Sequence, residues 1–167
     1  MVFETIFFQF LMTDTKKNRR YQRLYAQLSD LAEKSAYPLS QMATINALLY
    51  HKIDYFFWCG FYEVKDKHLA VVSYQGPLAC QLLPQNKGVC WAAVNENKTI
   101  IVPDVEAFPG HIACSSLSKS EIVVPVRNKE GKPVAVLDVD SKEYGSFDET
   151  DALYLEKIVQ LIHADTL

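Results

Sequence analysis

Two valine-rich runs near the C-terminal end restrict the fold of this chain more than any other feature. Residues 121–127 (EIVVPVR) and 133–140 (PVAVLDVD) are separated by the tight polar turn Asn128-Lys129-Glu130-Gly131. Runs of β-branched residues bounded by turn residues read as strands, and so short a link requires them to lie antiparallel. Asp138 and Asp140 stand two apart in the second run, so both project from one face of that strand.

The rest of the chain fits around this hairpin. Residues 54–62 are aromatic and strand-like, and residues 68–74 follow as a second strand after the turn Lys65-Asp66-Lys67. Shorter strands are expected at 79–83, ending at Pro84, and at 99–102. Helical spacing of Tyr21, Leu24, Tyr25, Leu28, Leu31 and Ala32 predicts a helix over 17–35, which Pro38 breaks. A second helix over 40–52 carries Met42, Ala43, Asn46, Leu49 and Tyr50 on one stripe, widened by Ile45 and Leu48. So broad an apolar surface predicts burial between a sheet and another helix. Residues 88–97 read as a short helix. Asp148, with Asp151 as a shortened capping box, opens a last helix with Ala152, Leu155, Ile158, Val159 and Ile162 on its apolar stripe. Residues 103–119 have no period, and loops of that length are usually functional or mobile. The expectation is an α+β fold, an antiparallel sheet flanked by helices in a single domain, which suits 167 residues.

Residues 2–12 (VFETIFFQFLM) are apolar but broken by Glu4 and Gln9. A membrane span needs about 20 apolar residues, and a signal peptide needs a positive start and a small-residue cleavage site. Residues 1–16 are therefore read as an N-terminal extension, either preceding a true start at Met12 or forming an arm or extra strand against a neighbour. The domain is expected over 17–165. No membrane association follows from this, and a cytoplasmic location is expected. The net charge of -3 gives no footprint for nucleic acid. The basic cluster Lys16-Lys17-Asn18-Arg19-Arg20 is read as a solvated helix start. Whether the chain is a monomer or a homodimer stays open.

Cys59, Cys80, Cys90 and Cys114 include no CxxC pair, which argues against a zinc knuckle, and structural disulfides are unexpected in a reducing compartment. Buried inert thiols are the default. Cys59, inside an apolar strand, is assigned to it. Cys90 is either the same or, by its place near a helix N-terminus, a thiol of lowered pKa.

The segments WCGFY (58–62), GPLAC (76–80), GVC (88–90), PGHIAC (109–114), SEIVVPV (120–126) and LDVDS (137–141) occur in that order. Together they resemble the free methionine-(R)-sulfoxide reductases, stand-alone GAF domains, over nearly the whole chain. The resemblance implies reduction of free L-methionine-(R)-sulfoxide without a prosthetic cofactor, with thioredoxin as the thiol reductant. It implies that Cys114 attacks, that Cys80 resolves through a disulfide, and that Cys90 is a substrate contact or a secondary resolving thiol. It further implies that Trp58 and Tyr62 shape the pocket, and that Glu121, Asp138 and Asp140 bind the substrate and assist protonation. Trp91 departs from the family pattern, and beside Cys90 it is expected to narrow the pocket.

Elementary chemistry runs parallel to the resemblance. Sulfoxide reduction needs a thiolate to attack sulfur, an acid for the departing oxygen and a second thiol to condense with the resulting sulfenic acid. Clustered, half-buried carboxylates cannot all ionise; one keeps its proton as an acid while the rest can hold an ammonium. His111 is assigned to ordering its loop rather than to acting as a base. Two alternatives remain: a GAF module sensing a small ligand, and a cysteine redox switch for a protein partner.

Overall fold

The computed structural model describes residues 15–112 and 114–167; the expectations for the extension before residue 15 lie outside them. Along the chain run α1 (Lys16–Ala32), α2 (Pro38–Lys52), β1 (Trp58–Lys65), β2 (His68–Gln75), β3 (Leu82–Pro84), α3 (Gly88–Glu96), β4 (Ile100–Val102), β5 (Ser120–Arg127), β6 (Pro133–Ser141) and α4 (Glu149–Val159). Among the described residues the strands form one antiparallel sheet in the order β3-β2-β1-β6-β5-β4. This is the expected α+β architecture, with the valine-rich hairpin as β5 and β6, β6 lying in the middle of the sheet beside β1.

Alternation along the central strands divides the molecule. Cys59, Phe61, Ile122, Val124, Leu137 and Val139 face α1, α2 and α4 and build the larger core. Their sequence neighbours Trp58, Tyr62, Val123 and Val136 face the other way, toward α3 and β4. The second face is only partly roofed, which leaves room for a site.

Several boundaries differ from the expectation for local reasons. β1 begins at Trp58 rather than residue 54, because a turn closed by the Phe56 N–H donating to the Ile53 carbonyl (3.1 Å) leads out of α2. Pro38 opens α2 at its first turn, where its missing N–H costs nothing; α1 has already ended at Ala32. On α2, Ala43 faces solvent while Met42, Ile45, Asn46 and Leu49 are buried. Residues 103–119 hold one short 3-10 turn, Val105–Ala107, and are laced to the sheet by Val105 N–H to Lys119 O (3.0 Å) and Lys119 N–H to Ser141 O (2.8 Å).

The expected capping box at α4 is present. Asp148 accepts the Thr150 and Asp151 N–H groups, and Asp151 accepts the Asp148 N–H. Asp151 does more than cap. Fully buried, it also accepts the Tyr21 hydroxyl at 2.7 Å and the Tyr55 hydroxyl at 2.5 Å, and it pairs with the Lys17 ammonium. The reading of the basic cluster as solvated is thereby corrected: Lys17 turns inward to a buried carboxylate, and Asn18 is buried. No described helix is long and apolar enough to cross a membrane.

Candidate active site

The floor of the site follows from strand register. Trp58 lies opposite Asp140 across β1 and β6, and Glu121 lies opposite Asp140 across β5 and β6. In the next row Gly60 lies opposite Asp138, which lies opposite Val123. A period of two puts these side chains on one face, so three carboxylates from two strands meet beside an indole.

Gly60 makes the aromatic wall possible. A Cβ there would come within 2.3 Å of the Trp58 ring and 2.6 Å of the Tyr74 Cβ. The indole instead lies across the bare backbone and stacks on Tyr62 (centroids 5.8 Å apart) and Tyr74 (5.5 Å). Both cleft aromatics also hold the 76–80 segment. The Trp58 indole N–H donates to the Pro77 carbonyl at 3.2 Å, and the Tyr62 hydroxyl donates to the Cys80 carbonyl at 3.0 Å.

The remaining walls come from that segment, from α3 and from the 103–119 loop. They enclose a cleft of about 600 Å³, solvent mouth included, lined by Trp58, Tyr62, Cys90, His111, Cys114, Ser118, Glu121, Asp138 and Asp140 among others. Cys80 and Cys114 are joined as a disulfide (S–S 2.01 Å, Cα–Cα 5.5 Å), with Cys80 half-buried and Cys114 exposed at the rim. The structure thus brings together every residue proposed for the site from sequence.

Burial governs the electrostatics. It pushes Asp138 up to about 7, while hydrogen bonds with Cys90 and Glu121 hold it down. Burial raises Glu121 well above the usual carboxylate range, and the charges of Asp138 and Asp140 add to the effect. Asp140 is raised by burial and by Asp138, against a hydrogen bond with Ser118. The ionisation of any one of the three therefore discourages that of its neighbours, and the cluster keeps protons that free carboxyls would lose. Among the described residues none of the three carboxylates pairs with a lysine or arginine, and Asp138 Oδ1 is buried without a hydrogen-bond partner.

Other expectations need correction. Cys90 sits in the first turn of α3, yet its thiol is pushed up, first by burial and then by Asp138 and Glu121. One short helix terminus does not overcome a dry pocket holding carboxylates. Trp91 does not narrow the cleft. It turns away from Cys90, is buried, and donates its indole N–H to the Leu83 carbonyl at 3.2 Å, since successive helix residues point about 100° apart. Cys59 is a buried thiol on the helix-covered face, its Sγ 3.6 Å from Asn46 Oδ1, with its pKa raised by burial. His111 is lowered by burial, and its Nε2 stands 3.7 Å from Glu121, too far for a hydrogen bond. The backbone N–H of His111 donates to the Phe108 carbonyl at 3.1 Å. Ser118, the partner of Asp140, was missed; nothing in the serine-rich loop marks it locally.

Residues 43–164 match the family model of the GAF domain. The chain is 46% identical over 147 residues to GAF domain-containing protein A of Dictyostelium discoideum, covering 87% of this chain and 92% of that protein. It is 40% identical over 121 residues to the free methionine-R-sulfoxide reductase of Escherichia coli, covering 72% of this chain and 73% of that protein. Its fold superposes with a TM-score of 0.86, at 38% identity, on the X-ray structure of the free methionine-R-sulfoxide reductase from Neisseria meningitidis in complex with its substrate; the match covers 92% of this chain and 94% of that one.

Proposed function

The chain belongs to the free methionine-R-sulfoxide reductase family of GAF domains, and from that membership we propose that it reduces free L-methionine-(R)-sulfoxide to L-methionine with a cysteine pair recycled by thioredoxin. The observation that carries the reading is the meeting, in one cleft, of a bonded Cys80–Cys114 pair with three carboxylates whose pKa values are raised by burial.

In the proposed cycle the substrate ammonium is drawn to the negative charge of the cluster, where Asp138 Oδ1 offers an acceptor without a partner. The thioether end lies against Trp58 and Tyr62. The Cys114 thiolate attacks the sulfoxide sulfur while a neutral carboxyl, Glu121 or Asp140, gives a proton to the oxygen. The oxygen then passes to the Cys114 sulfur as the sulfur–sulfur and sulfur–oxygen bonds of this adduct break, methionine leaves with its sulfur reduced, and Cys114 is left as a sulfenic acid. The Cys80 thiol then attacks that sulfur; a disulfide forms and water departs. Thioredoxin, a dithiol, reduces the disulfide by exchange, which assigns the protein to a reducing compartment, the cytoplasm. Cys90, held as a neutral thiol, is a poor attacking group and serves as a substrate contact or a reserve resolving thiol.

A coupled thioredoxin–NADPH assay with each free epimer tests the reading. NADPH consumption with the (R) epimer and none with the (S) epimer is expected. Equal turnover of the two, or none of either, contradicts it.

A further inference from the structure

Three side chains of the cleft floor that the proposed cycle engages are also donors for a metal ion. One ligand atom each from Cys90, Glu121 and Asp138 lies within 4.8 Å of the others, and all three residues are buried, at 3%, 5% and 8% exposure. They come from α3, β5 and β6, so the set is anchored on three packed elements. Within the set, the Oδ1 atom of Asp138 is buried without a hydrogen-bond partner. A buried acceptor left in that state costs stability unless something positive or hydrogen-bearing is meant to meet it.

We infer that Cys90, Glu121 and Asp138 form a binding site for a borderline-soft divalent cation, zinc foremost, on the floor of the cleft. Zinc takes mixed sulfur and oxygen ligands at about 2.0–2.3 Å in a tetrahedron, a span that this trio reaches with small side-chain adjustments. Magnesium is a poor fit, because it prefers oxygen ligands in octahedral geometry and keeps its waters. Three protein donors leave a fourth position for water from the open side of the cleft. On binding, the Cys90 sulfur–hydrogen bond breaks, its proton passes to solvent and a sulfur–metal bond forms; any carboxyl proton on Glu121 or Asp138 leaves likewise. The absence of a CxxC pair does not bear on this site, because its donors are distant in sequence and come together through the sheet register. A cation here lies where the substrate ammonium would lie. That competition rests on the substrate reading above; the binding itself does not.

The test uses the full chain in its Cys80–Cys114 disulfide form, which leaves Cys90 as the free thiol of the cleft. Cadmium serves as a spectroscopic stand-in for zinc, and zinc affinity is measured by calorimetry. One equivalent of cadmium should produce ultraviolet thiolate-to-metal absorption. Cys90→Ser should abolish that absorption, and both Cys90→Ser and Asp138→Asn should weaken zinc by roughly tenfold or more, the equal of about 1.4 kcal/mol. Absence of the absorption in the wild-type chain overturns the proposal, as does unchanged zinc affinity in both folded variants or magnesium binding as tightly as zinc. Methionine sulfoxide should weaken zinc binding. If zinc binds through Cys90 but the sulfoxide does not compete, the metal site stands and the substrate reading fails.

Discussion

Two buried carboxylate centres lie on opposite sides of one sheet, and they are furnished differently. On the helix-covered side, Asp151 receives two phenol hydroxyls, a backbone N–H and the Lys17 ammonium. Its donors come from α1, from the turn before β1 and from the start of α4, so the group ties three segments together. On the cleft side, Glu121, Asp138 and Asp140 crowd one another without a lysine or arginine among the described residues, and one oxygen is unpartnered. A buried charge with all its partners is architecture, and removing it harms folding. A buried cluster of carboxylates with no lysine or arginine among its described neighbours costs stability and marks a candidate binding site. The cysteines divide the same way: Cys59 faces the helices, whereas Cys80, Cys90 and Cys114 surround the cleft.

The division can be broken by substitution. The largest effect is expected from Cys114→Ser, which should abolish methionine release even in a single turnover, because no other thiol is assigned to attack. A full burst from that variant would transfer the role to Cys90. Cys80→Ser should still release one methionine per chain but turn over poorly with thioredoxin. On the other side, Asp151→Ala strands two phenol hydroxyls and leaves the Lys17 ammonium only its pair with Asp148, and it should cost about 3 kcal/mol in urea unfolding. The activity of the fraction still folded should stay near wild type.

Asp138→Asn should invert that pattern. Activity should fall about 100-fold, some 2.7 kcal/mol in the barrier, while stability at pH 8 rises. A fall in both would place Asp138 with the architecture. The same comparison predicts a pH profile. Folded Asp138 holds its proton up to about pH 7, whereas an unfolded aspartate releases it near ~3.9. The folded chain binds the extra proton between those values, so stability falls as pH rises through them, by on the order of 2 kcal/mol from pH 5 to pH 7 from this group. The fall of urea midpoints across that range should be shallower in Asp138→Asn, with the raised Glu121 and Asp140 still contributing a slope of the same sign. The smallest effect is expected for Cys59→Ser, whose turnover should stay within about tenfold of wild type, under ~1.4 kcal/mol.

What could be read in advance was mostly local. The period of two in residues 133–140 placed Asp138 and Asp140 on one face, and the spacing of Asp148 and Asp151 announced the cap of α4. Where the sequence misled, distant contacts decided. Asp151 looked like a cap and nothing more, because Tyr21, Tyr55 and Lys17 reach it only in the folded chain. The place of Cys90 at the start of α3 spoke for a lowered pKa, but burial first, and then carboxylates from β5 and β6, reversed the sign. Trp91 threatened the cleft on the strength of adjacency, but helix rotation carries it to the Leu83 carbonyl. The aromatic wall depends on Gly60 having no side chain, a requirement visible only once Trp58 and Tyr74 are seen to meet there.

On the proposed reading, the carboxylates of the cleft meet the ammonium of a free amino acid. Turnover of free L-methionine-(R)-sulfoxide against its N-acetyl derivative, with thioredoxin and NADPH, tests it most directly. A site built to pair a charged group discriminates strongly against an analogue without it, so the acetylated compound should be turned over at least ~100-fold less efficiently, about 2.7 kcal/mol in the barrier. Comparable values of kcat/KM for the two compounds would contradict the account.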